Sequence, residues 1–151
     1  LDRTGYAVLE SLPWRVLDAG LIRSGVRLPL AQRLTEIGDG LADILSEHAV
    51  DLVAVEELYA HYKHPRTAIL MGHARGVILL TAARQGLDVV SLPATMIKKS
   101  LTGNGHASKL QMQRAIMATL GLRKLPEPAD VADALAAAFC SLNMSANRGL
   151  R

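Results

Sequence analysis

Glu56, Asp130 and Asp133 are the side chains of this chain best suited by type and setting to do chemistry. Glu56 follows Leu52-Val53-Ala54-Val55, a continuously apolar run that reads as a strand covered on both faces. Asp130 and Asp133 open an alanine-rich helix, and a spacing of three puts them on one helix face. In open α/β sheets, ligands bind at the carboxyl ends of strands, where Glu56 falls. Carboxylates meeting at such a sheet mouth select Mg²⁺ or Mn²⁺ over zinc, because their oxygens are hard donors. Two such ions about 3.5–4 Å apart would hydrolyse a phosphodiester, one activating water and the other stabilising the leaving 3′ oxygen. The competing reading is structural. Acids in a first helical turn are favoured by the helix dipole and cap free N–H groups, and Glu56-Glu57 is equally an ordinary polar strand end. Against capping, Asp133 lies a turn inside the helix among Val131, Ala132, Ala134 and Leu135, so a buried carboxylate there would need a cation or a proton.

Basic and aromatic residues surround these acids in the sequence. Leu58 to Arg66 holds two of the chain's five aromatics, Tyr59 and Tyr62, interleaved with Lys63 and Arg66. Tyrosines can stack on exposed bases while cations hold phosphates; the plain alternative is a surface loop. A second cluster comprises Lys98, Lys99, His106 and Lys109 around a Gly-Asn-Gly loop, extended by Arg114. Lys109 falls in the first turn of a predicted helix, where the dipole disfavours a cation unless an anion sits beside it.

The elements that must position these groups are legible from periodicity. Gly5 to Glu10 and Trp14 to Arg23 predict an antiparallel hairpin. Leu28 to His48 predicts a helix from apolar residues at three- and four-residue steps, with Pro29 near its start. Leu52 to Val55 and Leu87 to Leu92 read as strands, with a helix over Pro65 to Gln85 between them. Further helices are expected over Pro93 to Leu101, Ser108 to Leu120 and Pro128 to Asn143, followed by a polar, frayed tail over 144–151. This order implies an α/β domain, a mixed sheet with helices on both faces.

The 151 residues fit one domain over 1–151. A net charge of +3 and a pI near 9.3 lean weakly towards an anionic partner. The single cysteine, Cys140, excludes an internal disulfide and a cysteine-built zinc site and suits a reducing, cytoplasmic compartment. No apolar run reaches membrane-spanning length, and no signal peptide is visible.

Five stretches, in order, are Thr4 to Val8 (TGYAV), Asp51 to Leu58 (DLVAVEEL), Gly72 to Gly76 (GHARG), Thr102 to Lys109 (TGNGHASK) and Ala129 to Ala134 (ADVADA). Together they resemble the RuvC family of bacterial Holliday-junction resolvases, within the RNase H-like superfamily. The resemblance implies an RNase H-like fold with a five-stranded mixed sheet. It implies a homodimer that binds four-way junction DNA and cuts two opposed strands symmetrically, leaving 5′ phosphates, in recombination and repair. Glu56, Asp130 and Asp133 match the family's second, third and fourth metal-binding acids for two Mg²⁺ or Mn²⁺ ions. Tyr59 matches an aromatic, usually Phe, that stacks near the junction centre. Lys98 or Lys99, and Lys109, match basic positions near the scissile phosphate, with Lys109 stabilising the transition-state charge. The helix Pro65 to Gln85 matches the dimer helix, where Gly72, Ala74 and Gly76 would permit close approach. The branch-migration complex RuvAB is a partner implied in the same way. The family begins with a central strand carrying G-x-D-P-G, whose aspartate is the first metal ligand. This chain starts just after it, and Asp2 is too close to Thr4-Gly5 to match, so an acidic strand ahead of Leu1 is expected. Two other functions stay open: a module that binds junctions without cutting them, and an RNase H-like nuclease that acts on RNA.

Overall fold

The computed structural model describes residues 1–11, 13–58 and 65–149. In chain order these form β1 (Arg3–Glu10), β2 (Arg15–Arg23), α1 (Leu30–Glu47), β3 (Leu52–Glu56), α2 (Pro65–Arg84), β4 (Asp88–Leu92), α3 (Ala94–Thr102), α4 (Lys109–Thr119) and α5 (Ala129–Gly149). Every element expected within the chain is present, with ends shifted by a few residues. None of the described helices is long and apolar enough to cross a membrane.

The strands pair as β1–β2 and β3–β4, two two-stranded sheets among the described residues. The expected single five-stranded sheet is therefore not seen. Four strands lie among the described residues, and they pair two and two.

The packing divides into two compact units. One contains the described residues of Leu1–Thr4, Ile22–Val53 and Glu57–Val89. Here α1 packs along α2, with Ile37 and Leu45 of α1 and Ala74 and Ala82 of α2 buried. A Cβ added at Gly38 would come within 3.1 Å of Val77, so the two helices meet closely.

The other unit contains Gly5–Leu21, Ala54–Glu56 and the chain from Val90 onward. Its centre is α5, which serves two apolar clusters. Val131, Ala132, Leu135 and Phe139 pack with Ile116 of α4 against the hairpin residues Ala7, Leu9, Trp14, Val16, Ala19 and Leu21. The two-residue step of a strand puts Ala7 and Leu9 of β1, and Ala19 and Leu21 of β2, each on one face. Trp14 and Phe139 meet with ring centroids 4.9 Å apart, within the range of a favourable aromatic pair. Ala136, Ala137 and Cys140 join Leu92, Ile97, Ala107 and Met112 in the second cluster, packed by Ala54 and Val90 of the strands. Cys140 is buried there. The segment from Met144, expected to fray, instead continues α5 to Gly149. Met144 extends the buried row Ala136–Cys140 by another four residues and packs against the same cluster, which holds the extra turn in place.

Candidate active site

β3 delivers Glu56 at its carboxyl end, and α5 delivers Asp133 about one turn inside its start. Both line one cavity of about 170 Å³, together with Lys98 of α3, Lys109 of α4 and an apolar wall of Ala94, Ile97 and Met112. The wall belongs to the cluster that packs α3 and α4 on α5, so core formation itself brings the four charges together. Both acids are exposed overall, which corrects the expectation of a fully buried Asp133. The buried arc of α5 runs through Val131, Ala132, Leu135, Ala136 and Cys140 and leaves Asp133 at the cavity's open side.

The electrostatics of the cavity favour a cation. Partial burial pushes the Glu56 carboxyl above the usual range, the neighbouring Asp133 adds to the rise, and Lys98 and Lys109 oppose it. Partial burial likewise raises Asp133; Lys109 opposes, Asp130 adds to the rise and Lys98 opposes. Lys109 thus has the anionic neighbours that its place in a helix's first turn calls for. A capping box fixes that turn. Ser108 Oγ accepts from the Gln111 N–H at 3.3 Å, and Gln111 Oε1 accepts from the Ser108 N–H at 2.7 Å. Ser108→Ala should lower stability by about 1 kcal/mol, read as a small drop in thermal midpoint.

Asp130 stands one turn before Asp133 and is not in the cavity lining. Its place is set by a close approach that sequence reasoning missed. A Cβ built on Gly5 would lie 2.1 Å from Asp130 O and 2.5 Å from its carbonyl carbon. Only glycine lets β1 cross the start of α5 at that distance. Nothing in Thr4-Gly5-Tyr6 signals this beforehand.

Among the described residues, no three His, Cys, Asp or Glu side chains stand close enough to enclose a metal ion. The donors present nonetheless fit a divalent cation in type. Two hard carboxylates share a cavity in which desolvation raises both pKa values, with Asp133 adding to the rise at Glu56 and Asp130 to that at Asp133, a strain that a cation relieves. A consequence can be measured on metal-free protein. An acid whose pKa is raised in the folded state stabilises the fold below the ordinary carboxylate range, and that contribution is lost as pH rises through the folded value. Asp133→Asn should therefore raise the metal-free thermal midpoint at neutral pH, with the gain vanishing as pH falls below about 4. An equal midpoint at both pH values would contradict the electrostatic account.

The remaining expected site residues are dispersed. The sequence left Lys98 and Lys99 as alternatives; the fold puts Lys98 in the carboxylate cavity and Lys99 in an open groove with Asn104 and His106. Arg114 is exposed on α4 and lines neither recess. Arg66 is exposed at the start of α2. Tyr59, Tyr62 and Lys63 lie outside the described residues. On α2, a Cβ added at Gly72 or Gly76 meets nothing within 4 Å, whereas Ala74 is buried in its own unit. A step of two residues turns Ala74 to the far side of the helix, so it is not available to a second copy.

Comparison with known proteins bears on this site. A sequence model of the family described as "Crossover junction endodeoxyribonuclease RuvC" matches residues 1–141. The chain is 49% identical to the crossover junction endodeoxyribonuclease RuvC of Rhodopirellula baltica, over 97% of this chain and 84% of the relative. It is 40% identical to that of Caldicellulosiruptor saccharolyticus, over 95% and 88% of the two chains. In structure it is similar to Thermus thermophilus RuvC in complex with a Holliday junction substrate, with a TM-score of 0.87, 28% identity and coverage of 97% and 90%.

Proposed function

This chain belongs to the RuvC family, and from that premise we infer that it is a crossover junction endodeoxyribonuclease, a hydrolase that resolves Holliday junctions in DNA recombination and repair. The observation that carries the reading is the shared cavity of Glu56, Asp133, Lys98 and Lys109 at the end of β3. Family membership makes the enzyme metal-dependent.

The finer assignments are part of the proposal. Glu56 and Asp133, with Asp130 one turn away, would hold two Mg²⁺ or Mn²⁺ ions. When bound, such ions supply Lewis acidity towards the phosphate and a nucleophile from water at neutral pH. Lys98 and Lys109 draw the scissile phosphate to the carboxylates and keep it oriented. Lys109 offsets charge that builds on the phosphoryl oxygens in the transition state. The apolar wall of Ala94, Ile97 and Met112 limits water and strengthens these interactions.

Symmetric cleavage needs two sites, and a homodimer supplies them. Ile69, Gly72, Gly76 and Leu80 form one exposed stripe on α2, spaced for a single helix face. Two copies related by a two-fold axis along this stripe would address opposed strands. Tyr59 is assigned to the junction centre and Tyr62, Lys63 and Arg66 to DNA binding, and docking by RuvAB is added on family grounds.

The test is a labelled four-way junction incubated with Mg²⁺ or Mn²⁺ beside a duplex of the same sequence and an RNA–DNA hybrid. Paired nicks at symmetric positions, on the junction only, are expected. Junction binding without nicks would select the binding-module reading, and cutting of the hybrid would select the RNA-directed one.

A further inference from the structure

Helix α3 presents consecutive lysines to different recesses. Lys98 faces the acids, while Lys99 lines an open groove of about 650 Å³ with Met96, Asn104 and His106. Adjacent helix residues diverge by about 100°, so the groove lies round α3 from the carboxylates, within about one helix diameter of 10–12 Å. A DNA strand rising about 3.4 Å per nucleotide spans that distance in about three steps.

The groove is built by a bonded loop. Gly103, at φ 74°, ends α3 in a left-handed turn, and its N–H donates to Lys99 O at 2.9 Å. Thr102 Oγ1 donates to Lys98 O at 2.8 Å and accepts from the Asn104 N–H at 3.1 Å. Asn104 Oδ1 accepts from the His106 N–H at 3.0 Å, which fixes the orientation of the amide. Its NH₂ group, two donors, has no partner among the described residues. Met96 adds an exposed thioether, and Lys99 adds a cation. An apolar surface, an oriented amide and an ammonium are what one nucleotide requires: a face for the base, a donor for its edge and a charge for its phosphate.

We propose that this groove is a base-selecting subsite for a nucleotide flanking the scissile phosphate, with Asn104 as the specificity-determining residue. The proposal rests on the junction-nuclease reading above. Because Oδ1 is engaged by His106, the amide offers donors, so the site prefers a base whose edge presents acceptors, guanine or thymine.

The test uses four-way junctions with identical arms that differ only in the nucleotides flanking the cut. Relative cleavage rates are measured for the parent, Asn104→Asp and Asn104→Ala. Asn104→Asp keeps the acceptor for His106 and removes the donors. Its preference for acceptor-edged bases should fall by about tenfold and shift towards cytosine or adenine, which offer amino groups. Asn104→Ala should lose the preference without a shift. Ratios cancel any uniform effect of the added charge on phosphate binding. Unchanged ratios in both variants, or a parent that cuts every junction equally, would overturn the proposal. A parent that cuts no junction would instead count against the nuclease reading.

Discussion

Glu56→Gln is expected to reduce junction cleavage by about 10²–10³-fold at saturating Mg²⁺, with junction affinity within about twofold of the parent. The substitution keeps the size and the hydrogen-bonding reach of the side chain and removes its charge. The contribution at stake is cation binding beside the scissile phosphate, worth several kcal/mol of transition-state stabilisation. Affinity should persist because the proposed phosphate contacts are made by lysines and arginines, Lys98 and Lys109 of the cavity included, and not by Glu56. Removing one of two mutually repelling acids also relaxes the cavity, so the protein should not be less stable without metal. Cleavage rates and gel-shift affinities measured on the same preparation decide the matter. A Glu56→Gln enzyme retaining more than about a tenth of parental cleavage would remove Glu56 from the metal-holding role.

Gly5→Ala is the second large effect. The added methyl meets the backbone of Asp130 at 2.1 and 2.5 Å, and backbone atoms at a helix start cannot step aside as a flexible side chain can. Either β1 lifts from α5 or the start of α5 shifts. Overpacking of this kind destabilises by about 1–3 kcal/mol, a fall of about 2–12 °C in thermal midpoint for a chain of this size. Because the shift falls on Asp130, which is proposed to help hold metal, cleavage should drop about a hundredfold even well below the midpoint, the usual consequence of misplacing such a group by an ångström. An unchanged midpoint would mean that the hairpin does not cross α5 at this distance.

The elements were legible because each rests on local pattern. The three- and four-residue apolar steps of α1 and the continuous run of β3 needed no tertiary information. The acids were legible as types on the right elements, and the meeting of Glu56 and Asp133 in one cavity followed from the helix and strand assignments, whereas Asp130 lies outside its lining. Three features were not. The choice between Lys98 and Lys99 depends on the rotation of α3 about its axis, which adjacent identical residues do not reveal. The role of Gly5 depends on a contact across 125 positions of sequence, from 5 to 130. The helical tail depends on Met144 finding the cluster that already holds Cys140, while its polar neighbours point to fraying. Asn104 did leave a trace, a polar residue between two glycines, but its fixed amide emerges only from the hydrogen bonds of the folded loop.

The helix that bears Asp130 and Asp133 is also the one around which both apolar clusters of its unit form. Backbone amides of α5 should therefore be among the last to exchange with deuterated solvent, opening only when the unit unfolds as a whole. The two aspartates then have no cheap local fluctuation that releases them. A denaturant or temperature that loosens them also dissolves the core, so loss of activity and loss of structure should follow one curve, with no inactive but folded stage between them.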